Sequence, residues 1–237
     1  MVKTFPRVLR IEPASKCNLG CIHCPTGTIE MTRGVMSLEV FDKIILEIKK
    51  NIKYIKVVVL YHGGEPFLNK NFFYMLNEIK KINKNIYVKT VSNGTVLNEK
   101  IIKKIVESDL DLIEFSLDGE SAEDSERIRR KSKTEIILKN VKELLEQKKK
   151  LDKKNLKINI CSTQFFKDEN LVTDNTSPET AQWIQDNFQN QDVEFKSFFA
   201  MQWPSMNKEI SDFKKVKVEN INDKNTCNHL DETLTIR

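Results

Sequence analysis

The alternation of short apolar runs with longer segments of helical period is the feature of this sequence that most constrains its fold, and it occurs about six times along the chain. Residues 55–61 form an apolar run without polar alternation, which is typical of a parallel strand buried on both faces. Strands that alternate with helices imply right-handed crossovers between parallel strands. The sequence therefore predicts an α/β fold, built either as an open doubly wound sheet or as a complete or partial barrel.

The hydrophobic period and the turn residues place the individual elements. Ser37 is a residue type that caps helix starts, and the apolar residues after it keep helical spacing as far as Lys50. Pro178 is predicted to start the last helix, which runs to about Phe188. The other predicted helices are residues 71–83, 98–108 and 122–150, the last with a break near 131–133, and the predicted strands are residues 7–12, 55–61, 86–91, 112–117, 156–162 and 193–199.

Composition limits the class of protein. The chain has 237 residues, of which 39% are hydrophobic and 31% are charged, so it is too apolar for general disorder and too polar for a membrane protein. The net charge of +5 is spread over lysine-rich runs without interleaved aromatic residues, so a nucleic-acid partner is not expected. Three basic residues among the first ten precede no apolar segment, so we expect no signal peptide and a cytoplasmic location.

Three cysteines follow the first predicted strand in a C-x3-C-x2-C loop formed by Cys17, Cys21 and Cys24. Ligands of parallel α/β folds bind at the carboxyl ends of strands, so this loop lies where a ligand would bind. A structural zinc ion normally has four protein ligands, and His23 would have to share the ion with the adjacent Cys24. An iron–sulfur cluster held by three cysteines leaves one iron open to an outside ligand. The loop favours the cluster, with zinc as the alternative.

The cysteine loop and the strand ends that follow it resemble the radical S-adenosylmethionine enzymes over about residues 8–199. The second strand ends in Gly63-Gly64-Glu65-Pro66, which is similar to the family's glycine-rich turn. The third strand ends in Ser92-Asn93-Gly94, and the fourth ends in Ser116-Leu117-Asp118-Gly119. The resemblance implies a partial (βα)6 barrel of the TIM type, made of parallel strands and followed by a polar C-terminal tail.

The resemblance also implies two cofactors, a 4Fe-4S cluster and S-adenosylmethionine. For Glu65 an alternative role is open, because its carboxylate could instead cap the helix that follows Pro66. The implied ligands are Cys17, Cys21 and Cys24 for the cluster; Gly63, Gly64 and Glu65 for the methionine ammonium; Ser92, Asn93, Ser116 and Asp118 for the ribose and the methionine carboxylate; Arg129, with Arg130 in reserve, for the carboxylate; and His23 for the adenine.

A catalytic function follows from the same resemblance. In such enzymes an external one-electron donor such as flavodoxin or ferredoxin reduces the cluster, and S-adenosylmethionine is cleaved to methionine and a 5′-deoxyadenosyl radical that abstracts a substrate hydrogen. A peptide, a protein, a sugar or another small molecule is the expected substrate, and no membrane is expected to take part. The alternative function is a non-catalytic iron–sulfur or zinc-binding scaffold.

The remaining two cysteines, Cys161 and Cys227, fall on either side of a predicted domain boundary. Residues 1–203 are expected to form the radical S-adenosylmethionine core, and residues 204–237 a linker followed by the start of a second unit. Cys227 and the residues after it resemble the opening of the cysteine-rich SPASM or twitch-type extension, which binds auxiliary clusters in one branch of the family. The alternative is that Cys227 is a lone thiol. Cys161, inside the fifth strand, is predicted to be a buried apolar residue.

Overall fold

A computed structural model of the chain describes residues 5–164, 177–199 and 233–236. Strands and helices alternate through most of this part, as the period of the sequence predicts. The strands are β1 (Val8–Ile11), β2 (Val57–Leu60), β3 (Tyr87–Ser92), β4 (Leu112–Ser116), β5 (Lys157–Gln164), β6 (Glu194–Phe199) and β7 (Thr233–Ile236). The helices are α1 (Pro25–Thr28), α2 (Leu38–Asn51), α3 (Phe72–Ile82), α4 (Glu99–Glu107), α5 (Ala122–Ile128), α6 (Thr134–Lys150) and α7 (Gln182–Asn187), with a 3-10 helix at Pro66–Leu68.

Strand order decides between the two architectures that the sequence leaves open. The strands form one parallel sheet in the order β6-β5-β4-β3-β2-β1-β7, so β1 to β6 are neighbours in chain order without a reversal. Right-handed crossovers between strands added in one direction place every helix on the same face of the sheet, whereas a doubly wound sheet reverses direction. The fold is therefore a partial barrel, and in the described residues its sheet does not close.

Strand β7 lies in the segment that the sequence analysis assigns to a polar tail. Its four residues pair in parallel with β1, with Val8 opposite Thr233 and Ile11 opposite Ile236. The amide of Glu12 donates to the Ile236 carbonyl at 3.0 Å and extends this pairing to the start of the cysteine loop. The segment alternates β-branched and apolar residues, which suits a strand that covers a sheet edge.

Helix boundaries follow local capping chemistry. The Ser37 side chain accepts a hydrogen bond from the Val40 amide, which confirms the predicted start of α2. The start predicted at Pro178 is wrong, because α7 begins at Gln182. The Thr180 hydroxyl instead hydrogen bonds the Ser197 hydroxyl at 2.7 Å, so the chain before α7 runs beside β6. Among the described helices, none has the length and apolarity needed to cross a membrane.

The two faces of the sheet differ in chemistry. One face packs against the helices in a continuous apolar core, to which β4 contributes Ile113 and Phe115 and β5 contributes Ile158 and Ile160. Residues of opposite parity point to the other face of a strand. On β4 and β5 these include Glu114, Asn159 and Cys161, together with Lys89 on β3 and Lys196 on β6. We call this second face the lumen face; it carries polar groups at the depth where a closed barrel would pack apolar side chains.

We expect Lys80→Met to lower the free energy of unfolding by about 1–3 kcal/mol, because removing one partner strands a partly buried charge. The Lys80 ammonium donates to Asp111 at 2.5 Å and to the Ile86 carbonyl at 2.9 Å, and its side chain is only 6% exposed. Lys81→Met is the matched control, because Lys81 is 71% exposed in its pair with Glu78. This substitution should change the free energy of unfolding by less than about 0.5 kcal/mol. Urea unfolding followed by circular dichroism measures both, and equal losses would contradict the expectation.

Candidate active site

Backbone hydrogen bonds join the cysteine loop to the chain that follows β4, at the end of α5. The Gly20 amide donates to the Arg130 carbonyl at 2.9 Å, and the Ile22 amide donates to the Ile128 carbonyl at 3.0 Å. These bonds join the loop after β1 to the segment at the end of α5. The loop therefore bridges the carboxyl ends of β1 and β4, and it covers the site where ligands of such barrels bind.

The three thiols lie near one another in this loop. Burial raises the pKa of Cys17, and burial raises the pKa of Cys21 to about 11, with the charges of the other two cysteines adding to the rise at Cys21. In the described part of the chain, no three His, Cys, Asp or Glu side chains converge on a point where one ion could be held. Cluster ligands bind separate iron atoms, so they need no such convergence.

Gly63 joins the second strand to the cysteine loop. Its amide donates to Glu12 Oε1 at 2.7 Å, and its carbonyl accepts a hydrogen bond from the Thr26 hydroxyl. The neighbouring Glu65 amide donates to the Lys16 carbonyl at 2.7 Å. The glycine-rich turn is thus bound on both sides by residues that flank the three cysteines.

Two glycines allow this close approach of backbones. A Cβ at Gly64 would overlap the carbonyl oxygens of Ala14 and Lys16. A Cβ at Gly27 would lie 2.6 Å from the Gly20 carbonyl carbon and 2.7 Å from the Cys21 nitrogen. Each position therefore requires glycine for space. At Gly64, packing is thus a second reason why the residue is glycine, in addition to the predicted contact with a methionine ammonium.

Glu65 is buried, and its carboxylate is engaged by the protein itself. Oε1 accepts from the Ser92 hydroxyl at 3.0 Å and from the Phe67 amide at 3.3 Å, and Oε2 accepts from the Asn93 amide at 2.8 Å. The bond to Phe67 caps the 3-10 helix, as the structural alternative predicts. A contact with an ammonium group would be an addition to these three bonds. Burial raises the pKa of Glu65 to about 7 in spite of these bonds.

Asn93 links the third strand to the first cysteine. Its side-chain amide donates to Asn18 Oδ1 at 2.9 Å and lies 3.7 Å from Cys17 Sγ. Its own oxygen accepts from the Thr95 amide at 2.9 Å, which fixes the orientation of the amide group. Cys17 Sγ also lies 3.4 Å from the Leu19 amide, which donates to it. The side chain that follows β3 therefore contacts the first cysteine of the loop directly.

Asp118 and Arg129 form a buried ion pair behind the loop. Arg129 Nη1 donates to Asp118 Oδ2 at 2.6 Å, and the side chains are 7% and 1% exposed. The Thr163 amide donates to Asp118 Oδ1 at 2.6 Å. Burial disfavours the charge on Arg129, but Asp118 and Cys21 hold the pKa of the guanidinium above its usual range. Arg130 is exposed, so of the two candidate arginines only Arg129 enters the site.

His23 lies against the same ion pair. Its Nε2 atom is 3.9 Å from Asp118 Oδ2. Burial lowers the pKa of His23, which Asp118 opposes and Arg129 reinforces. Burial therefore favours the uncharged form of the imidazole beside the cysteine loop. Ser116 ends β4 on the lumen face, opposite Cys161 of β5.

The residues present fit an iron–sulfur cluster together with a ligand that carries a carboxylate group. In the described residues, Arg129 Nε is a buried donor without a hydrogen-bond partner. The guanidinium also acts electrostatically on the thiols of Cys21 and Cys17. A buried donor on a positive charge next to three thiols suits the carboxylate of S-adenosylmethionine and the negative charge of thiolate ligands.

Other residues of the site were not predicted from the sequence. Glu12, Thr26 and Gly27 support the cysteine loop, as described above. Asn69 does so from below: its side-chain amide donates to the Pro13 carbonyl at 2.8 Å and to the Met36 carbonyl at 3.0 Å. A carboxylate at the end of a strand, as in Glu12-Pro13, is the one local signal that could have singled out a residue of this group.

Two predictions for cysteines have different outcomes. Cys161 lies in β5 as predicted, but it is partly exposed on the lumen face, so its assignment to the apolar core is wrong. The reason is parity, because Ile160 takes the core position beside it. Cys227 lies outside the described residues, and the proposed cysteine-rich extension stays a prediction.

A family comparison finds the Radical SAM superfamily over residues 11–161, which is more than half of the chain. Among curated proteins, the chain is 32% identical over 114 residues to the tungsten-containing aldehyde ferredoxin oxidoreductase cofactor-modifying protein of Pyrococcus furiosus, covering 47% of this chain and 31% of that protein. It is 27% identical over 165 residues to the GTP 3′,8-cyclase of Desulforamulus reducens, covering 68% of this chain and 48% of that protein.

The fold is similar to that of a protein of known structure. Streptococcus suis SuiB bound to the precursor peptide SuiA matches with a TM-score of 0.62 and 16% identity, covering 84% of this chain and 40% of that one. At this identity the match concerns the fold alone. The chain spans less than half the length of each of these three proteins.

We expect Gly64→Ala to destabilise the protein by about 3 kcal/mol, because the added Cβ would overlap two backbone carbonyls that cannot both move away. The matched control is Gly34→Ala, since nothing lies within 4 Å of a Cβ built at Gly34. Thermal unfolding of the protein without cofactors, and the iron bound after anaerobic reconstitution, measure the two effects. A Gly64→Ala protein as stable and as iron-loaded as Gly34→Ala would refute the packing role.

We expect Glu65 to make the folded protein less stable as the pH rises from about 4.5 to about 7. Burial raises the pKa of Glu65 from its ordinary value near 4.5 to about 7, so between these values the folded state holds a proton that the unfolded state has released. Stability then falls with rising pH, by roughly 3 kcal/mol over this window. Urea unfolding of wild type and Glu65→Gln at several pH values measures the effect. A difference between the two proteins that stays constant with pH would contradict it.

Proposed function

The chain belongs to the radical SAM superfamily, and we propose that it forms the catalytic core of an enzyme that abstracts a hydrogen atom from its substrate. Members of this superfamily are enzymes, and their cofactors are a 4Fe-4S cluster and S-adenosylmethionine. The observation that carries the proposal is the three-cysteine loop held between the Gly63-Gly64-Glu65 turn and the buried Asp118–Arg129 pair. A loop that served only to bind metal would not need the buried Asp118–Arg129 pair beside it.

The residues of the site divide the work of holding the two cofactors. Cys17, Cys21 and Cys24 hold the cluster, and Asn93 fixes the first of them through its contact with Cys17 Sγ. Because Cys17 and Cys21 have raised pKa values, loading with iron must displace their protons. Arg129, oriented by Asp118, supplies a positive charge for the methionine carboxylate.

The remaining predicted contacts concern the two ends of S-adenosylmethionine. Gly63, Gly64 and Glu65 face the methionine ammonium in this proposal, and the positive charge of the ammonium favours the ionised form of Glu65. Ser92, Asn93 and Ser116 contact the ribose, and the neutral ring of His23 covers the adenine. The lowered pKa of His23 supports this role, because an uncharged imidazole can lie on an apolar ring face without a charge to solvate.

When bound and reduced by one electron, the two cofactors supply a 5′-deoxyadenosyl radical, which is the agent that removes hydrogen. The electron comes from an external donor such as flavodoxin or ferredoxin. Water has to be excluded while the radical exists, and the loop across the carboxyl ends of the strands covers the site for this purpose. The enzyme is proposed to act in the cytoplasm.

A peptide or a small molecule is the proposed substrate. The solved complex of SuiB with the precursor peptide SuiA shows that a protein of this fold binds a peptide. The tail that follows residue 203 is proposed to lead into a cysteine-rich extension beginning near Cys227.

We expect Cys21→Ala to abolish both cluster binding and S-adenosylmethionine cleavage, because two thiolates seldom retain a four-iron cluster. The matched control is Cys161→Ala, which removes a thiol from β5 and should leave iron and sulfide content unchanged. After anaerobic reconstitution and dithionite reduction, chromatography of 5′-deoxyadenosine measures cleavage. Wild type that binds iron and sulfide but releases no 5′-deoxyadenosine would refute the catalytic proposal and favour a scaffold. One zinc per chain without sulfide would refute the cluster as well.

A further inference from the structure

A charged cluster lies on the lumen face, below the site that holds the proposed cofactors. Glu114 of β4 accepts from Lys89 of β3 at 3.0 Å through Oε2, and from Lys196 of β6 at 3.1 Å through Oε1. The side chain of Asn159 on β5 lies between Glu114 and Lys196, and its oxygen comes within 2.8 Å of the Lys196 ammonium when it faces that group. Four consecutive strands of the sheet thus contribute polar groups to one place.

The geometry gives each lysine unused donors. Every ammonium has three N–H donors, and a carboxylate oxygen uses one of them. The Glu114 side chain is 8% exposed, whereas Lys89 and Lys196 are 30% and 39% exposed. The carboxylate is therefore buried between two ammonium groups that remain open on their outer sides. Glu114 holds the two positive groups at fixed positions on opposite sides of itself.

The charges in this cluster do not cancel. Two lysines against one glutamate leave a charge of +1. Arg10, at a lumen-face position of β1, adds to the positive side, while Glu12 is engaged with the Gly63 amide. Glu194 lies two residues before Lys196 on β6, so its exposed carboxylate stands on the same face and offsets part of this positive charge. One lysine would suffice to balance a buried glutamate, so the second ammonium group carries a positive charge that is available to an anion.

The charged residues of the lumen face lie close to the proposed cofactor site along the sheet. In the sheet register Lys196 lies beside Cys161, and Cys161 lies beside Ser116. Ser116 is two residues before Asp118, which pairs with Arg129 at the strand ends. A ligand held by the lysines would extend toward the cysteine loop along the lumen.

We propose that Lys89 and Lys196 form an anion clamp that binds a carboxylate or phosphate group of the substrate. That the anion belongs to the substrate rests on the proposed function, whereas anion binding itself does not. The substrate class is then an acidic molecule, held by its anionic group in the lumen while its reacting carbon lies nearer the cysteine loop. A carboxylate and a phosphate present the same chemistry to two ammonium groups, and the experiment below separates them.

Lysine labelled with ¹³C at Cε tests the clamp in the full chain without cluster or S-adenosylmethionine. The label leaves every ammonium unmodified with its three N–H donors, and each lysine gives its own ¹H–¹³Cε signal. Lys89→Arg and Lys196→Arg variants assign the two signals while keeping the charge in place. The probes are sodium acetate and sodium phosphate, each titrated at constant ionic strength, with acetamide as the uncharged counterpart of acetate.

We expect both assigned signals to shift in a saturable way with acetate, phosphate or both, and not with acetamide. The anion that saturates at the lower concentration identifies the preferred group. Lys196→Gln should weaken the response of the Lys89 signal about tenfold, as expected for the loss of one charged hydrogen-bond partner. Lys43→Gln is the matched control, because Lys43 is an exposed lysine paired with Glu39, and it should leave the response unchanged.

Signals of Lys89 and Lys196 that move no more than that of Lys43, or that move equally with acetamide, would overturn the clamp. The wild-type titration decides this even where a glutamine variant fails to fold. Because these measurements use protein without cofactors, their failure leaves the cleavage of S-adenosylmethionine untouched. Conversely, a protein that binds anions but releases no 5′-deoxyadenosine would refute the proposed function and leave the clamp in place.

Discussion

The close packing of the Gly63-Gly64 turn against the backbone of residues 14–16 is the contact on which the rest of the site depends. Gly64 has no room for a side chain there, and the adjacent amides of Gly63 and Glu65 are bonded to Glu12 and to the Lys16 carbonyl. Because Cys17 follows Lys16 directly, the turn fixes where the cysteine loop leaves β1. The glycines at this strand end therefore have a packing role that does not depend on a bound ligand.

Buried polar groups extend this fixed point across the sheet. Glu65 holds Ser92 and the Asn93 amide, and Asn93 in turn reaches Cys17. On the other side Asp118 holds Arg129, whose neighbouring backbone at Arg130 accepts from Gly20 of the loop. Each of these groups is costly to bury alone and is stabilised by its partner. The loop is therefore positioned from both sides by side chains that also fit the predicted cofactors.

The lumen face below this network has a different character. The helix face of the sheet is filled by aliphatic and aromatic side chains, as in any packed α/β core. The lumen face instead carries Lys89, Glu114 and Lys196, and the sheet that bears them is not closed in the described residues. An open face with two lysines around one glutamate favours an anionic ligand, and this is the physical basis of the proposed anion clamp.

The sequence by itself determined the α/β class, nearly all the strands and helices, and the three cysteines as the centre of the site, because period, capping residues and ligand spacing are local properties. It did not determine the strand order, and so it left the doubly wound sheet open. It assigned residues 233–236 to a tail and Cys161 to the core, since edge pairing and strand parity depend on partners distant in the chain. Only the tertiary structure could bring Lys89, Glu114 and Lys196 together across separate strands. It also buries Arg129, the first choice from the sequence, against Asp118 and leaves the reserve candidate Arg130 exposed. The physical reason is that burial and ion pairing are decided by neighbours in space, which a linear pattern does not contain.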